Sequence, residues 1–299
     1  MDGLIIVNKE NGYTSRDVVN VLSKKFNTNK IGHCGTLDPI AEGVLVIAIG
    51  KALKVIDLIT EDSKEYIAEV KLGIETDTLD ITGNILNEVK NIYTDENEIR
   101  NVLNSFVGKS MQEVPAYSAV KVNGKRLYEY ARQNINIELP KREIEIFDIE
   151  LLNFDRDKFI FRVSVSKGTY IRSLIRDIGK KLNIPATMTG LKRVKQGLFC
   201  IDNSYTLDDI KKDNYKVIPI VNALIDYEIV EVNDFIANKV KNGRILENRY
   251  KSEKIVFIDS NKNVLAFYKP YEKDITKIKP IKVLWLEWKF CRLFSFFLC

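Results

Sequence analysis

The stretch from Gly32 to Gly43 constrains the fold of this 299-residue chain more than any other. It contains three glycines and the only histidine of the chain, and it places Asp38 directly before Pro39. A proline fixes its own φ and disfavours helical geometry at the preceding residue, and glycines permit turns and close backbone approach. The apolar run 44–49 follows at once and predicts a buried strand. The stretch therefore predicts a stiff, exposed loop that presents the Asp38 carboxylate.

A plainer interpretation of this stretch is an ordinary turn. Asp-Pro accompanied by glycines is a common turn signature with no functional meaning of its own. Taken without the rest of the chain, the spacing fits a turn and a functional loop equally well.

Hydrophobic patterning predicts strands and helices along the whole chain. Strands are predicted at 4–7, 44–49, 65–72, 143–154, 159–166, 255–259, 264–268 and 281–284, and helices at 14–26, 95–107, 127–133, 171–182 and 235–240. Asn123-Gly124 predicts a hairpin turn, and 189–199 a loop and a strand. Strands outnumber helices and follow no strict βαβ order, which predicts an α+β fold with a mixed, largely antiparallel sheet.

Composition and charge narrow the class of protein. The chain is 45% hydrophobic and 29% charged, its N-terminus is acidic, and its four cysteines are scattered. No run of about 18 apolar residues is present, so we expect a protein of the reducing cytoplasm without a membrane span. Net charge is +5, and the span from Arg162 to Lys195 holds nine bases and one acid. That span predicts either a polyanion-binding surface or a solvated helix face.

Five stretches in order, from about Leu4 to Ile225, resemble the motifs of TruB-type tRNA pseudouridine synthases. The loop resembles G-x-L/T-L-D-P-x-A-x-G, whose acid is the essential aspartate, and this assigns that role to Asp38. The run Lys167 to Arg172 matches K-G-T-Y-I-R, whose arginine pairs with the aspartate. A buried carboxylate needs a cation to remain ionised, and arginine supplies a permanent, forked one.

The resemblance also assigns a stacking ring and a set of RNA contacts. Tyr66 matches the tyrosine of K-x-Y, which stacks on the reacting base and is placed to relay the C5 proton. In the L-x-R match the leucine packs against that base, and we expect the basic residues at phosphates. Glu10 departs from the family proline that follows the N-terminal lysine. The residues assigned to RNA binding are His33, Lys9, Asp77, Tyr170, Leu191, Lys192 and Arg193.

The function implied by the resemblance is conversion of uridine 55 in the T loop of tRNA to pseudouridine. The reaction breaks the C1′–N1 bond of a uridine, turns the base and rejoins it through C5. Its atoms balance, so we expect no cofactor and no metal. The uridine must leave its stack to be reached, and an aromatic ring then stacks on it. We expect a cytoplasmic monomer that binds the tRNA T arm without a protein partner or a membrane.

We expect three regions, the first two from the resemblance and the third from its apolar composition. They are an α+β catalytic domain of the pseudouridine synthase type at residues 1–228, a small β-rich PUA-like RNA-binding domain at 229–284, and an apolar tail at 285–299. We expect the tail to be exposed or loosely packed, and dispensable.

Two alternatives remain beside the stand-alone enzyme. One is a tRNA-binding or tRNA-folding chaperone without catalysis, and the other is a guide-RNA-dependent, dyskerin-like synthase. The intact Asp38, Tyr66 and Arg172 count against the first alternative. A chain that starts at its first strand and ends in a small domain counts against the second.

Overall fold

The computed structural model describes residues 1–60 and 63–285. The helices are α1 Ser15–Lys25, α2 Ile56–Ile59, α3 Glu96–Asn104, α4 Leu127–Arg132, α5 Ile171–Leu182, α6 Leu207–Lys211 and α7 Asp234–Lys241. The strands up to the middle of the chain are β1 Gly3–Lys9, β2 Ile31–Cys34, β3 Ala41–Ile49, β4 Lys64–Leu72, β5 Ile74–Thr76, β6 Ile85–Glu88, β7 Gly108–Glu113, β8 Lys121–Val122 and β9 Lys125–Arg126. The remaining strands are β10 Lys141–Asp155, β11 Lys158–Val165, β12 Ala186–Gln196, β13 Phe199–Cys200, β14 Glu228–Glu231, β15 Leu246–Glu247, β16 Ile255–Ile258, β17 Val264–Tyr271 and β18 Asp274–Val283.

A large sheet forms the centre of the fold, in the order β1-β3-β12-β4-β11-β10-β7. Its strands pair antiparallel except β3 and β12, which run parallel, so the predicted mixed, largely antiparallel sheet is confirmed. Along one edge of β3, residues 43–49 pair with the whole length of β1. The opposite edge is shared, because β2 pairs with 46–49 and β12 with 41–43. The Asp38 loop therefore joins β2 to β3 near the point where the edge of β3 changes its partner from β2 to β12.

At β1 and β3 the sheet is buried on both faces, which explains the continuous apolar runs at 4–7 and 44–49. Side chains of a strand alternate between faces. Ile5 and Val7 accordingly join the cluster that contains α1, α3 and α5, whereas Leu4 and Ile6 join a second cluster on the opposite face.

A second sheet follows in the order β14-β16-β17-β18-β15, with α7 against it. It has an apolar cluster of its own, centred on residues such as Val240 and Phe257. Other side chains of this sheet, including Val256 and Phe267, join the cluster beneath β1 and β3. The second sheet therefore packs on the face of the large sheet that α5 does not cover. It begins at Glu228, and the division at residue 228 stays our prediction.

Local patterning predicted most elements correctly. Helix α5 has its predicted bounds, the Asn123-Gly124 hairpin joins β8 to β9, and Thr14 caps α1 through a capping box with Asp17. The helix predicted at 95–107 ends earlier, at Asn104, because Gly108 (φ +105°) starts β7 instead of closing the helix.

Several strands are longer than predicted, most of all β12 and β18, and the tail prediction stays untested. Strand β12 begins at Ala186, and β18 begins at Asp274. Half of the residues of β18 are polar, so hydrophobic patterning did not indicate its first part. The tail lies outside the described residues except for Trp285.

Within the described ranges, no helix is long and apolar enough to cross a membrane.

The basic span 162–195 does not form one continuous surface. It runs through β11, α5 and β12, so its side chains point in different directions. Arg172 and Arg193 are buried, and Arg176 forms an ion pair with Glu113 at 2.8 Å. The excess of basic residues therefore lies partly inside the protein.

Substitution of Gly43 tests the junction between β3 and β12. Gly43 has φ +100°, and an added Cβ would lie 2.2 Å from the carbonyl oxygen of Arg193. Gly12 also has positive φ (+88°) but has no heavy atom within 4 Å of an added Cβ. Gly12→Ala should cost only the backbone term, about 1 kcal/mol. Gly43→Ala should cost roughly 1–3 kcal/mol more, because the strands must separate. Urea unfolding of both variants measures the difference, and equal losses would contradict the close approach.

Candidate active site

An ion pair joins the two motifs that carry charge. Nη2 of Arg172 lies 2.9 Å from Oδ2 of Asp38. The arginine side chain is only 7% exposed and the aspartate side chain 37%, so the acid faces open space while its partner is buried behind it. The predicted pairing of these residues is present.

The guanidinium of Arg172 is fixed by further contacts. Its Nη1 donates to the carbonyl oxygen of Thr78 at 3.0 Å, and Nη2 donates to that of Tyr117 at 3.1 Å. A second carboxylate, that of the buried Asp80, lies 3.8 Å from Nη1. A planar fork with several donors meets all these acceptors at once, which a single ammonium cannot do.

The Asp38 loop is fastened to helix α1. The backbone N–H of Leu37 donates to Oγ of Ser15 at 2.9 Å, and that hydroxyl donates to the carbonyl oxygen of Leu37 at 3.2 Å. The Leu37 side chain is buried, and the N–H of Ala41 closes the turn on the carbonyl oxygen of Asp38 at 3.0 Å. The loop is thus held immediately before and after the acid.

Lys9 lies inside the protein and not at an RNA-facing surface. It is fully buried, and its Nζ donates to the carbonyl oxygens of Glu10, Tyr13 and Pro39 at 3.0, 2.6 and 3.3 Å. The direct RNA contact that we expected of Lys9 conflicts with this burial. Burial lowers the pKa of Lys9 to about 8, and the nearby Asp38 carboxylate opposes the shift. Lys9 instead ties the end of β1 to the residue after the acid.

Arg193 is a second basic residue that the structure places inside. It is 1% exposed, and its Nε donates to the carbonyl oxygen of Val44 at 2.7 Å. Its Nη2 donates to that of Gly35 at 2.8 Å. A phosphate contact, expected from the resemblance, conflicts with this position, because both ends of its fork are committed to the backbone around the loop. Its neighbour Lys192 is half-buried.

A cavity of about 520 Å³ opens in front of Asp38. It brings together six of the residues assigned from sequence: Asp38, Tyr66, Tyr170, Arg172, Leu191 and Arg193. Tyr66 lies on β4 and is 7% exposed, so only part of its ring reaches the cavity. A carboxylate beside an aromatic ring and an apolar side chain suits a nucleophile or base acting on a planar, polar substrate.

Four assigned residues do not line this cavity: Lys9, Lys192, His33 and Asp77. His33 lies on β2 and is half-buried, and burial together with the positive charges of Arg16 and Arg193 lowers the pKa of its imidazole. The Asp77 carboxylate accepts hydrogen bonds from the backbone and side-chain nitrogens of Asn84 at 2.8 and 3.1 Å. Asp77 therefore shapes its own loop.

Other cavity residues were not assigned from sequence. Lys64 and Lys167 stood within the matched motifs, and their charge was the available signal. Burial, more than the charge of Arg193, lowers the pKa of Lys64. Arg142 and Tyr128 lie outside the matched motifs. Arg142 belongs to a strand of alternating polar and apolar residues and Tyr128 to a short helix, and neither pattern marks a functional residue. In the part of the chain described, no three His, Cys, Asp or Glu side chains are grouped so as to hold a metal ion.

The chain is similar in sequence to a family of known proteins. A model of the TruB family pseudouridylate synthase (N terminal domain) matches residues 23–171. The tRNA pseudouridine synthase B of Oceanobacillus iheyensis is 42% identical, over 96% of this chain and 99% of that protein. The protein of the same name from Clostridium tetani is 44% identical, over 85% of this chain and 89% of that protein.

Solved structures give the same fold. The chain superposes on one in a Cbf5-Nop10-Gar1 complex with a TM-score of 0.70 and 27% identity, covering 94% of this chain and 84% of that one. A structure of an H/ACA RNP bound to a substrate RNA gives a TM-score of 0.69 and 25% identity, with the same coverage.

The buried ammonium of Lys9 should make stability depend on pH. Its pKa is about 8 in the folded chain against 10.5 for an unperturbed lysine, so the unfolded chain binds more protons between these values. The cost of burying the charge is present below pH 8 and is relieved as the pH rises toward 10.5. The melting temperature of wild type relative to Lys9→Met should therefore increase over this range. Lys24→Met, an exposed lysine on α1, controls for the loss of one charge. A difference that stays constant or shrinks with pH would contradict the account.

Proposed function

The chain belongs to the TruB family of pseudouridylate synthases, and from this premise we propose that it isomerises uridine 55 in the T loop of tRNA. The observation that carries the proposal is the Asp38–Arg172 ion pair at the wall of a cavity lined by Tyr66. The close relatives named tRNA pseudouridine synthase B support tRNA as the substrate.

Asp38 provides the reacting carboxylate. It attacks the sugar at C1′, attacks the base at C6, or removes a proton from the sugar, and each route requires the ionised form. Arg172 binds the carboxylate and aims it into the cavity. Tyr66 stacks on the detached base and is placed to accept the C5 proton.

The uridine enters as a flipped nucleotide. A base inside a stacked T loop cannot reach an acid in a recessed cavity, so it must first be extruded. The rings of Tyr66 and Tyr170 and the side chain of Leu191 offer the apolar contacts that replace its stacking. Unstacking costs a few kcal/mol, and these contacts offset that cost.

Positive charge around the cavity supports binding of an RNA backbone. Lys64, Lys167 and Arg142 line the cavity together with the acid. Such side chains neutralise phosphates, fix the register of the RNA and make the affinity depend on salt. We propose that the chain acts on the T arm as a cytoplasmic monomer without a protein partner or cofactor.

The guide-RNA-dependent alternative is less favoured. The chain is 42–44% identical to two proteins named tRNA pseudouridine synthase B but 27% identical to a chain from a Cbf5-Nop10-Gar1 complex. A chaperone without catalysis would have no use for a carboxylate that a buried arginine holds at the wall of a cavity. The next variant separates this second alternative from the enzyme.

Asp38→Asn should abolish pseudouridine formation and preserve tRNA binding. The amide keeps the shape but removes the charge, so the single-turnover rate should fall by roughly a thousandfold or more. Asp202→Asn makes the same chemical change at an exposed position outside the cavity and should remain close to the wild-type rate. Tritium release from uridine labelled at C5 measures turnover, and filter binding measures affinity. An Asp38→Asn rate within about tenfold of wild type, a loss of less than about 1.4 kcal/mol in transition-state stabilisation, would contradict the role.

Arg172→Lys should slow the reaction in a folded protein. A single ammonium cannot meet Asp38 and the carbonyl oxygens of Thr78 and Tyr117 together, so we expect a loss of about a hundredfold. Arg176→Lys lies one turn further along α5, outside the cavity, and is the matched control. Single-turnover rates with melting curves test this. A near-normal rate in folded Arg172→Lys would refute the pairing.

A further inference from the structure

Helix α5, which carries Arg172 in its first turn, begins without a cap of its own. The residue before the helix is Tyr170, whose side chain makes no capping hydrogen bond and instead lines the cavity. The free N–H groups at a helix start need partners from elsewhere. Gln112, on the edge strand β7, supplies one of them. The N–H of Tyr170 donates to Oε1 of Gln112 at 2.8 Å.

The same glutamine binds the other side of the Tyr170 backbone. Its Nε2 donates to the carbonyl oxygen of Tyr170 at 3.0 Å, so donor and acceptor are both used on one residue. A side-chain amide carries a donor and an acceptor side by side, which makes this reciprocal pair geometrically specific. Gln112 is only 3% exposed, so water does not replace these bonds if they are lost.

The cross-strand neighbour of Gln112 holds the ring of Tyr170. Arg142 on β10 is directly opposite Gln112 in the β7–β10 register. Opposed residues of paired strands project on the same face, and the Arg142 guanidinium lies 5.5 Å from the centroid of the Tyr170 ring. Gln112 thus binds the backbone of Tyr170, and the opposed Arg142 contacts its ring.

Glu113, the next residue of β7, binds the residue that follows Arg172. Oγ of Ser173 donates to the carbonyl oxygen of Glu113 at 2.9 Å, and Ser173 is fully buried. Consecutive residues of β7 therefore hold the residue two before Arg172 and the residue one after it. The position of the arginine backbone relative to the Asp38 loop is set by this edge strand.

We propose that Gln112 is a positioning residue for the reaction, which it serves by setting the Tyr170 ring and the Arg172 guanidinium against Asp38. Gln112 is not among the residues that line the cavity, so it acts through those two side chains. The inference rests on the proposed function, because it concerns the same site.

Substitution by glutamate gives a reversible test. A protonated carboxyl has one O–H donor and one carbonyl acceptor, and so reproduces both bonds to Tyr170. An ionised carboxylate has only acceptors and opposes the Tyr170 carbonyl oxygen. An unperturbed glutamate has a pKa of about 4.3, and burial raises that of the introduced carboxyl. The single-turnover rate of Gln112→Glu, divided by that of wild type, should therefore rise as the pH falls from about 8 to about 5.5.

Gln112→Met keeps the approximate volume and removes both bonds at every pH. We expect a rate about 10- to 100-fold below wild type, the scale of a misplaced active-site group, with tRNA affinity changed less than about threefold and no dependence of the ratio on pH. Ile178→Val, in the buried face of the same helix, controls for a general loss of stability. Measured well below the melting temperatures, it should match the wild-type rate.

The outcomes separate the inference from the function on which it rests. A wild-type rate for Gln112→Met, or a Gln112→Glu ratio that does not change with pH, would overturn the positioning role while wild type remains active. If Gln112→Met does not fold, the pH profile of Gln112→Glu decides alone. Absence of pseudouridine in the wild-type reaction would overturn the proposed function and with it this inference.

Discussion

The contact between Asp38 and the buried guanidinium of Arg172 is the interaction on which the rest of the site depends. Removing an arginine from water is costly, and the cost is recovered only when its charge and its donors are matched. The Asp38 carboxylate and the carbonyl oxygens of Thr78 and Tyr117 lie 2.9 to 3.1 Å from the guanidinium nitrogens. The carboxylate of Asp80 lies 3.8 Å away. The exposed face of Asp38 is then the one part of this network left available to a substrate.

Both halves of the pair are held by elements remote in sequence. The loop that carries Asp38 is tied to α1 by Ser15, to β1 by Lys9 and to β12 by Arg193. The helix that carries Arg172 is tied to the edge strand β7. Several of these ties use backbone carbonyl oxygens as acceptors, so the precision of the site comes from the course of the chain as much as from its side chains. This is the arrangement expected where a small displacement of reacting groups costs much rate.

Local signals and motif resemblance together predicted a large part of this arrangement. Helix α5, the capped start of α1 and the buried strand after the Asp38 loop follow from periodicity, capping residues and glycine, and the Asp38–Arg172 pair follows from two matched motifs. The burial of Lys9 and Arg193 was not predicted, because the resemblance assigned both to RNA contacts. The carbonyl oxygens of Pro39 and Val44, which accept hydrogen bonds from these two cations, lie in segments distant in sequence. The part played by Gln112 depends on strand pairing, which the sequence of a six-residue edge strand does not reveal.

The central claim is that this chain, acting alone, uses the recessed Asp38 to isomerise one uridine of tRNA. The most direct measurement incubates the purified protein with unmodified tRNA transcript, without guide RNA, and maps pseudouridine by carbodiimide modification and primer extension. The account predicts a single stop that reports position 55, absent from a transcript with cytidine at that position. No pseudouridine, or pseudouridine only at other positions, would contradict it.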